Sequence, residues 1–504
     1  AIAGAESRDA QRTYNSNRSY GYNENKMSSV NIDYTHQYPM LPSGSSDFIQ
    51  RQESQGKRIT RFVSLFANAA YTYNGKYTLS GSFRRDASNL FGLTTNDQWN
   101  PFWSVGGLWD ISKESFYKID WLPTLKLRGS YGFNGNIDPA MVAVSTITYD
   151  IINSSYTGTP MARFENYYNP QLRWETSRMI NVALDFSTRN NRISGSVEYF
   201  TKKGNNLFGP AQLDYTTGVG YMLSNVAEIK GQGFDITLNT LNIDKAVKWN
   251  TIFNFSTYHD QVTKYYLADP VASQFIGNGD SVPIAGIEGK PVYSIFAYQW
   301  AGLDPKTGDP MGYLNGAVSK DYSALVGAGT KINDLEYFGS AIPTVYGSFI
   351  NSVSYKNFSL DIGIVYKMGY YFRRSSINYT NLYNSWLGHS DFAYRWQKEG
   401  DEAFTNVPSN TLMSDYNRDS FYRGSSVLVE KADHIRLQYI NFNYRFDQST
   451  WKSKVFENLN LFINLSNLGI LWKANKSGID PDFNYETTGL KPPAVYTIGL
   501  RANF

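Results

Sequence analysis

Apolar and polar side chains alternate along much of this chain, and the alternation limits the folds that it can adopt. Between residues 358 and 366 every second side chain is Phe, Leu, Ile or Tyr, with Ser359, Asp361 and Gly363 standing between them. A period of two places alternate side chains on opposite faces of an extended strand. The same period recurs at residues 77–84, 180–186, 193–199, 459–466 and 496–504. Helical spacing is nowhere sustained, so the chain is predicted to be all-β.

Two classes of connection join the predicted strands. Tight turns at residues 73–76, 188–191, 241–246 and 354–358 join one set of strand ends. Long segments rich in Asn, Gly, Asp, Ser and Tyr join the other set, approximately at residues 134–170, 202–222, 260–346, 369–425 and 472–493. An antiparallel up-and-down meander with short turns at one end and long loops at the other is typical of a transmembrane β-barrel of the outer membrane, whose long loops are extracellular.

The number of predicted strands indicates an incomplete wall. We count roughly 13 or 14 strands, and the uncertainty lies in Ala1–Ala5 and Val292–Gly302. Bacterial single-chain barrels have even strand numbers, and loops of this length normally accompany a larger barrel. Residues 1–504 are therefore predicted to form one β-barrel unit, with further strands preceding Ala1.

Composition agrees with a membrane barrel whose lumen holds water. Aromatic residues make up 16% of the chain, a content that suits strands and the aromatic belts at the two membrane boundaries. Mean hydropathy is -0.42, and no run of about 18 apolar residues suggests a membrane helix. A membrane strand needs only about 10 residues, half of them polar. Leu360, Ile362, Val182 and Leu184 are predicted to face lipid, and Ser359, Asp361, Asn181 and Asp185 to face the lumen.

Charge and cysteine content exclude several classes of partner. The net charge of +3 is scattered along the chain, which gives no basic surface for nucleic acid. The absence of cysteine excludes disulfides and thiolate metal sites and is compatible with the cell exterior. The chain opens AIAGAESR, with no initiator Met or signal sequence. We expect either that a leader was removed or that the chain is the later part of a longer protein.

No pattern of catalytic residues indicates an enzyme. The four histidines are far apart in the sequence, form no metal-binding spacing, and are predicted to lie in solvated loops or in the lumen. The VGAGTK segment at residues 326–331 lacks the spacing of a phosphate-binding loop. Two carboxylates at the separation that a glycosidase needs cannot be identified from sequence.

One loop segment contains candidate calcium ligands. Residues 301–316 place Asp304, Asp309 and Asn315 around Pro and Gly turns. Side-chain oxygens so placed can bind calcium. Asp-Pro and Thr-Gly-Asp are equally ordinary turn sequences, and the turn interpretation is the stronger.

Aromatic side chains in one long connection are the candidate ligand contacts. Rings beside Asn and Asp can stack on sugars or bind a peptide backbone. In a large barrel, loop aromatics also pack against one another, and this alternative applies to each of them. The candidates are Tyr379, Tyr383, Trp386, Tyr394 and Trp396.

Nine stretches of this chain resemble the barrel of SusC/RagA-type TonB-linked outer-membrane transporters. They include KYTLSGSFRRDASNLFG, PFWSVGGLWDISKESFY, WLPTLKLRGSYGFNGN, YNPQLRWETSRMINVALDF and AGLDPKTGDPMGY. The others are residues 338–374, RWQKEGDE, ADHIRLQYINFNYRF and NLSNLGILWKANK. The resemblance runs in order nearly from Ala1 to Phe504, with similar spacing.

The resemblance implies an architecture and a function. It implies a barrel of about 22 strands that is closed by an amino-terminal plug and preceded by a TonB box. The plug, the TonB box and the first strands do not lie in these 504 residues. Phe504 matches the terminal aromatic residue that addresses such barrels to the assembly machinery. The implied function is energised import of oligosaccharides or oligopeptides, with a SusD-like surface lipoprotein as partner. A passive porin, an adhesion barrel and a soluble carbohydrate-binding β-protein are the alternatives.

Overall fold

The computed structural model contains one large antiparallel sheet in which every strand pairs with its neighbour in sequence. The residues that the structure describes are 1–41, 43–49, 52–90, 100–137, 145–149, 156–214, 216, 220–265, 271–277, 282–411, 413–447, 458–484 and 491–503. The sheet has 14 strands in simple chain order. The strands are β1 Ile2–Asn17, β2 Glu53–Tyr73, β3 Tyr77–Ser88, β4 Asn100–Asp110, β5 Thr124–Asn136, β6 Glu175–Ser187, β7 Ile193–Gln212, β8 Tyr221–Asp244, β9 Val247–Tyr265, β10 Val345–Tyr355, β11 Phe358–Met368, β12 His434–Asp447, β13 Asn458–Lys473 and β14 Val495–Asn503.

Short strands and helices fill the connections. The paired loop strands are Gln37–Pro39 with Ser46–Phe48, Thr146–Tyr149 with Ala162–Asn166, Ser294–Tyr298 with Leu335–Ser340, and Tyr371–Arg373 with Val429–Lys431. Trp300–Leu303, Pro310–Leu314 and Ala317–Ser319 form a three-stranded sheet. The α-helices are α1 Tyr322–Leu325, α2 Tyr379–Ser385 and α3 Tyr416–Arg423. The 3₁₀ turns are Ile111–Lys113, Arg189–Asn191, Ala272–Phe275, Ile332–Asp334, Ser390–Tyr394, Asp401–Ala403, Ser426–Leu428 and Pro481–Phe483.

The predicted meander is confirmed, and its strand count agrees with the structure. Ala1–Ala5 leads into β1, which pairs with β2 along its length. Val292–Gly302 contributes two short loop strands that stay outside the large sheet. The predicted tight turns at residues 73–76, 188–191, 241–246 and 354–358 all join consecutive strands. A predicted role for Phe504 in assembly falls on a residue that lies outside the described ones.

One predicted loop is wrong in its bounds. Residues 202–222 were expected to form a long connection, but β7 continues to Gln212 and β8 begins at Tyr221. The pairing register shifts between Gly204 and Leu207, and Asn206 adopts a positive φ of 57°. This irregularity is a β-bulge, which bends a strand without ending it. The polar composition that suggested a loop therefore belongs to a hairpin that continues beyond the bulge.

The two faces of the sheet differ as the alternation predicted. Val182 and Leu184 are exposed by 46% and 37%, while Asn181 and Asp185 are partly covered. At the short-turn ends, exposed aromatic side chains include Tyr73, Tyr77, Phe116, Trp121, Tyr355 and Phe358. Large exposed apolar side chains on one face, edged by aromatic rings, form the outer surface of a membrane barrel. No helix of the described residues is long and apolar enough to cross a membrane.

Candidate functional site

The largest cluster of buried apolar side chains among the described residues lies in two long connections and not in the sheet. We call residues 271–277, 282–344, 369–411 and 413–433 the loop layer. These residues join β9 to β10 and β11 to β12. The buried members of the cluster are Ala272, Phe275, Ala285, Phe296, Tyr298, Leu325, Leu335 and Phe421. The loop layer therefore has a hydrophobic core of its own at the end of the barrel opposite the short turns.

Helix α3 lies at the centre of the loop layer. Asp415 caps the helix by accepting hydrogen bonds from the backbone N–H groups of residues 417 and 418, which satisfies two donors that a helix start leaves unpaired. Phe421 and Tyr422 are 0% and 1% exposed. Asp419 accepts hydrogen bonds from the backbone N–H and the hydroxyl of Thr380, both at 2.7 Å. These contacts join α3 to α2.

A buried arginine connects the two long connections. Arg418 is 3% exposed, and its Nε donates to Asp309 Oδ1 at 3.0 Å. A second nitrogen of the guanidinium donates to the backbone oxygen of Ser409 at 3.0 Å. The guanidinium also lies 5.7 Å from the centre of the Tyr379 ring. Because a buried charge is costly without partners, this geometry fixes the position of α3 against both connections.

A second buried arginine also joins the two long connections of the loop layer. Arg373 is 4% exposed and donates to the backbone oxygens of Gly277, at 2.6 Å, and of Phe296. Burial lowers the pKa of Arg373 to about 10. Backbone oxygens therefore stabilise this charge without a carboxylate.

The structure separates the five predicted aromatic ligand contacts. Tyr379 is 1% exposed and donates to the backbone oxygen of Pro408. Trp396 is 9% exposed and donates to Glu402 Oε2 at 3.0 Å. These two rings pack inside the loop layer, as the packing alternative expected. Trp386 and Tyr394 are exposed by 78% and 72%.

The fifth aromatic residue, Tyr383, is intermediate in exposure. A ligand-binding role for the five residues stays a prediction. Tyr383 is partly covered and donates to the side chain of Asn410. Trp386 has a positive φ of 56° and ends helix α2. This left-handed conformation turns the chain after the helix. The accessible rings of the predicted set are thus Trp386, Tyr394 and part of Tyr383.

The two predicted calcium-binding carboxylates form ion pairs with a lysine side chain. Lys320 Nζ lies 2.7 Å from Asp304 Oδ2 and 3.7 Å from Asp309 Oδ2. The hydrogen bond from Lys320 and those from backbone N–H groups lower the pKa of Asp304 to about 2. The described residues contain no group of three or more His, Asp or Glu side chains that could hold a metal ion. Calcium at Asp304 and Asp309 stays a prediction, and the turn geometry accounts for both carboxylates.

Charged side chains fasten the β13–β14 connection to the barrel. We call residues 474–484 the strap. Asp482 lies 2.8 Å from Lys367 Nζ and 3.1 Å from the Arg436 guanidinium, and Asp480 contacts the same guanidinium. Burial opposes ionisation of Asp482, but hydrogen bonds from His434 and Lys367 outweigh it and lower the pKa of this carboxyl.

His434 is covered by protein, whereas the histidines were predicted to lie in solvated loops or in the lumen. It is 1% exposed, and its Nε2 lies 3.3 Å from Asp482 Oδ2. His389 is also half-buried beside Asp391, at 3.5 Å, and burial lowers the pKa of its imidazole. Each histidine contacts a carboxylate of a loop whose packing the sequence does not reveal. Of these two contacts, the sequence could indicate only the one between His389 and Asp391, because these residues lie two positions apart.

Ion pairs also link side chains within and between strands on the inner face of the sheet. Arg128 of β5 lies 3.0 Å from Asp185 of β6 and 3.1 Å from Glu198 of β7. Arg84 of β3 lies 2.7 Å from Asp86 and 3.3 Å from Glu6 of β1. The predicted polar face is therefore a surface of paired charges. Such a surface can bind polar groups through hydrogen bonds.

Comparison with known proteins shows to which family the chain belongs. The family model described as the TonB dependent receptor-like β-barrel matches residues 4–386. The chain belongs to this family. The TonB-dependent receptor P3 of Formosa agariphila is 26% identical to this receptor barrel over 457 residues, covering 87% of the chain and 43% of that protein. The TonB-dependent receptor SusC of Bacteroides thetaiotaomicron is 23% identical over 480 residues, covering 90% and 45%.

A solved structure agrees with the fold of this receptor barrel. The RagAB peptide importer in the open-open state matches with a TM-score of 0.74 and 22% identity, over 100% of this chain and 52% of that one. The resemblance to SusC/RagA-type barrels is thereby confirmed. The chain spans less than half the length of the curated relatives it matches. Barrels of this family are outer-membrane proteins.

Proposed function

We propose that this TonB-dependent receptor barrel is part of the wall of an outer-membrane importer for oligosaccharides or oligopeptides. The observation that carries the proposal is a sheet with an apolar outer face and a charge-paired inner face, covered at one end by a packed loop layer. The outer face suits lipid and the inner face suits water, so the sheet separates a polar path from the membrane. The same faces support the proposed localisation as an integral, multi-pass outer-membrane protein.

In this proposal, cargo binds at the loop layer and then passes the polar inner face. Exposed rings at Trp386 and Tyr394 contact the cargo, since aromatic faces stack on sugars and peptide groups alike. The buried arginines keep the loop layer in one arrangement while cargo is exchanged. No covalent step is needed, so the protein acts as a transporter and not as an enzyme.

The proposed partners are a SusD-like surface lipoprotein and the TonB complex. Exposed apolar side chains on the loop layer support a seat for the lipoprotein; these are Trp386, Leu387, Phe404 and Met413. Scattered single apolar residues are normal on a surface, but four within one connection favour a contact surface. The TonB complex would act through parts of the longer protein.

Uptake measurements test the proposal. Cells that carry the full-length protein are given fluorescent oligosaccharides and oligopeptides, with and without functional TonB. We expect uptake of one class to require both the protein and TonB. Uptake that persists without TonB would support a passive porin, and no uptake of either class would support an adhesion barrel. Recovery of the protein in aqueous buffer without detergent would contradict a membrane wall altogether.

A further inference from the structure

Three basic side chains lie side by side on the outer face of the sheet, near the long-loop end. Arg178 of β6 is opposite Lys203 of β7, and Lys203 is opposite Lys230 of β8. Arg178 lies on the same face of β6 as the exposed Val182, because the two positions differ by an even number. Its partners on β7 and β8 therefore face outward too. We call these three residues the basic row.

The basic row lies at the boundary of the apolar outer band. At the opposite boundary, the exposed Ile193 begins β7 beside a tight turn. The distance along β7 from Ile193 to Lys203 is about 33 Å at about 3.3 Å per residue. A strand tilt of about 40° makes this about 25 Å across the membrane, which is the usual height of the band. Phe133, opposite Arg178, packs with the exposed Trp103 ring, as expected of the aromatic belt at this level.

The cations of the basic row are only partly paired. Lys203 Nζ lies 2.9 Å from one oxygen of Glu228, whose other oxygen lies 3.6 Å from Lys264 Nζ. Arg178 and Lys230 are exposed, and neither has a carboxylate within 4.0 Å among the described residues. Four cations therefore meet one carboxylate on this part of the outer face.

The other acidic residues in the sequence of the β7–β8 hairpin lie away from the basic row. Glu198 and Asp235 face the lumen, where each accepts a hydrogen bond from a side chain of another strand. Asp244 ends β8 at the short-turn end, and Asp214 lies beyond the bulge at Asn206. Like charges directly opposite each other destabilise a strand pair. An anion from outside the chain would therefore stabilise the row.

We propose that the basic row binds a phosphorylated glycolipid of the outer leaflet, with the Arg178 guanidinium and the two lysines contacting its phosphate monoesters. Arginine binds phosphate through two parallel hydrogen bonds, and lysine binds it as a point charge. A phosphate monoester carries up to about two negative charges at neutral pH, whereas the phosphodiester of an ordinary phospholipid carries one. The row spans about 10 Å across three strands, so one headgroup can contact all of it. The inference rests on the part of the proposed function that places the sheet in the outer membrane.

Matched lipids and matched variants test this site in the full-length protein. The lipids are diphosphoryl lipid A, its dephosphorylated form with the same sugars and acyl chains, and phosphatidylglycerol as a phosphodiester. The test variant is Arg178→Gln with Lys230→Gln. The control variant is Arg189→Gln with Lys245→Gln, which removes two positive charges from the short turns that join β6 to β7 and β8 to β9. Native mass spectrometry from detergent gives the dissociation constant of each lipid.

The expected result is a preference for phosphate that depends on the two unpaired cations. The unmodified protein should bind diphosphoryl lipid A about thirtyfold more tightly than the dephosphorylated form, since each basic group beside an anionic surface contributes about a factor of five. The test variant should bind the two forms alike, and the control variant should retain the preference. Arg178→Lys with Lys230→Arg, which keeps the charges, should also retain it. Each variant is compared in its folded form, which heat-dependent electrophoretic mobility identifies.

Four results would overturn the inference. Equal binding of both forms of lipid A by the unmodified protein would mean that the row only extends into water at the boundary. A preference that survives in the test variant would place the phosphates elsewhere on the wall. Phosphatidylglycerol bound as tightly as diphosphoryl lipid A would reduce the site to a generally basic surface. A smaller complex in the test variant would assign the row to a contact between copies of the chain.

Uptake separates failure of this site from failure of the proposed function. If TonB-dependent uptake of a glycan or peptide continues in any of these four cases, the proposed function stands and the lipid site alone is rejected. A full-length protein that inserts into no membrane would instead reject the wall itself, and the lipid site with it.

Discussion

Replacing Phe421 by Ala should open the loop layer and leave the barrel intact. Phe421 is 0% exposed, and its ring centre lies 5.8 Å from that of Tyr298, 6.1 Å from that of Tyr322 and 6.4 Å from that of Trp300. Truncating a buried Phe costs about 3–5 kcal/mol, and the cost is greatest where the site cannot collapse. The loss of aromatic contacts adds to the transfer free energy. We therefore expect the free energy of opening the loop layer to fall by about 4 kcal/mol.

Amide hydrogen exchange of the full-length protein in detergent measures this effect. A decrease of about 4 kcal/mol corresponds to exchange roughly a thousandfold faster wherever the loop layer opens as a unit. Exchange in β5–β8 should not change, because those strands are held by their own backbone ladders. The matched control is Phe404→Ala, in the same connection, where the side chain is 93% exposed and the expected change is within about 0.5 kcal/mol. Equal exchange in the two variants would refute the conclusion that the loop layer has its own core.

Three further predictions concern the strap, a tight glycine contact and the accessible aromatic residues. Asp482→Asn should speed exchange of the strap about tenfold at neutral pH, since it removes a partner of Lys367. In the unmodified protein this stabilisation should be complete above pH 3.8, the carboxyl's ordinary pKa, and decline below it, because the folded pKa is lowered. Gly308→Ala, with its Cβ 2.3 Å from the Trp396 ring, should cost about 1–3 kcal/mol more than Gly316→Ala, where nothing lies within 4 Å. Trp386→Ala should weaken cargo binding about tenfold and leave thermal unfolding unchanged.

Each of these has a result that contradicts it. A strap with the same protection at pH 7 and pH 2.5, each measured relative to the intrinsic amide exchange at that pH, would mean that the carboxylate contributes no stability. Gly308 and Gly316 both have a positive φ, so the same strain enters both variants and equal unfolding temperatures would rule out the ring contact. If Trp386→Ala binds cargo normally and Tyr394→Ala does not, the contact belongs to the second ring alone.

The fold was predictable because a membrane barrel repeats one physical requirement on every strand. Lipid demands an apolar side chain at every second position, and the requirement appears in the sequence as a period of two. Leu184 beside Asp185, and Leu500 beside Arg501, show the same rule on distant strands. The hairpin at residues 193–244 was the exception. Its outer part follows a bulge at Asn206, and polar residues there resemble a loop.

The loop layer could not be predicted in the same way. Its arrangement depends on contacts between residues far apart in sequence, such as Arg418 with Asp309 and Arg373 with the backbone oxygen of Phe296. Neither pair has a periodic signal. The aromatic content of residues 379–396 predicted that this segment contains ligand contacts. It could not distinguish the buried Tyr379 from the exposed Trp386. Burial in an irregular segment is set by tertiary packing.

The two parts of the molecule are stable for different reasons, and this difference suits the proposed transport function. In the sheet, backbone hydrogen bonds between neighbouring strands and contact with lipid maintain the wall, so it tolerates a lumen of polar side chains. In the loop layer, buried rings and the arginine contacts maintain the arrangement, with no help from lipid. Cargo that competes for polar contacts in the loop layer or strap can therefore shift a loop without loosening the wall. A barrel whose loops shared the core of its wall could not bind and release cargo without disturbing the membrane seal.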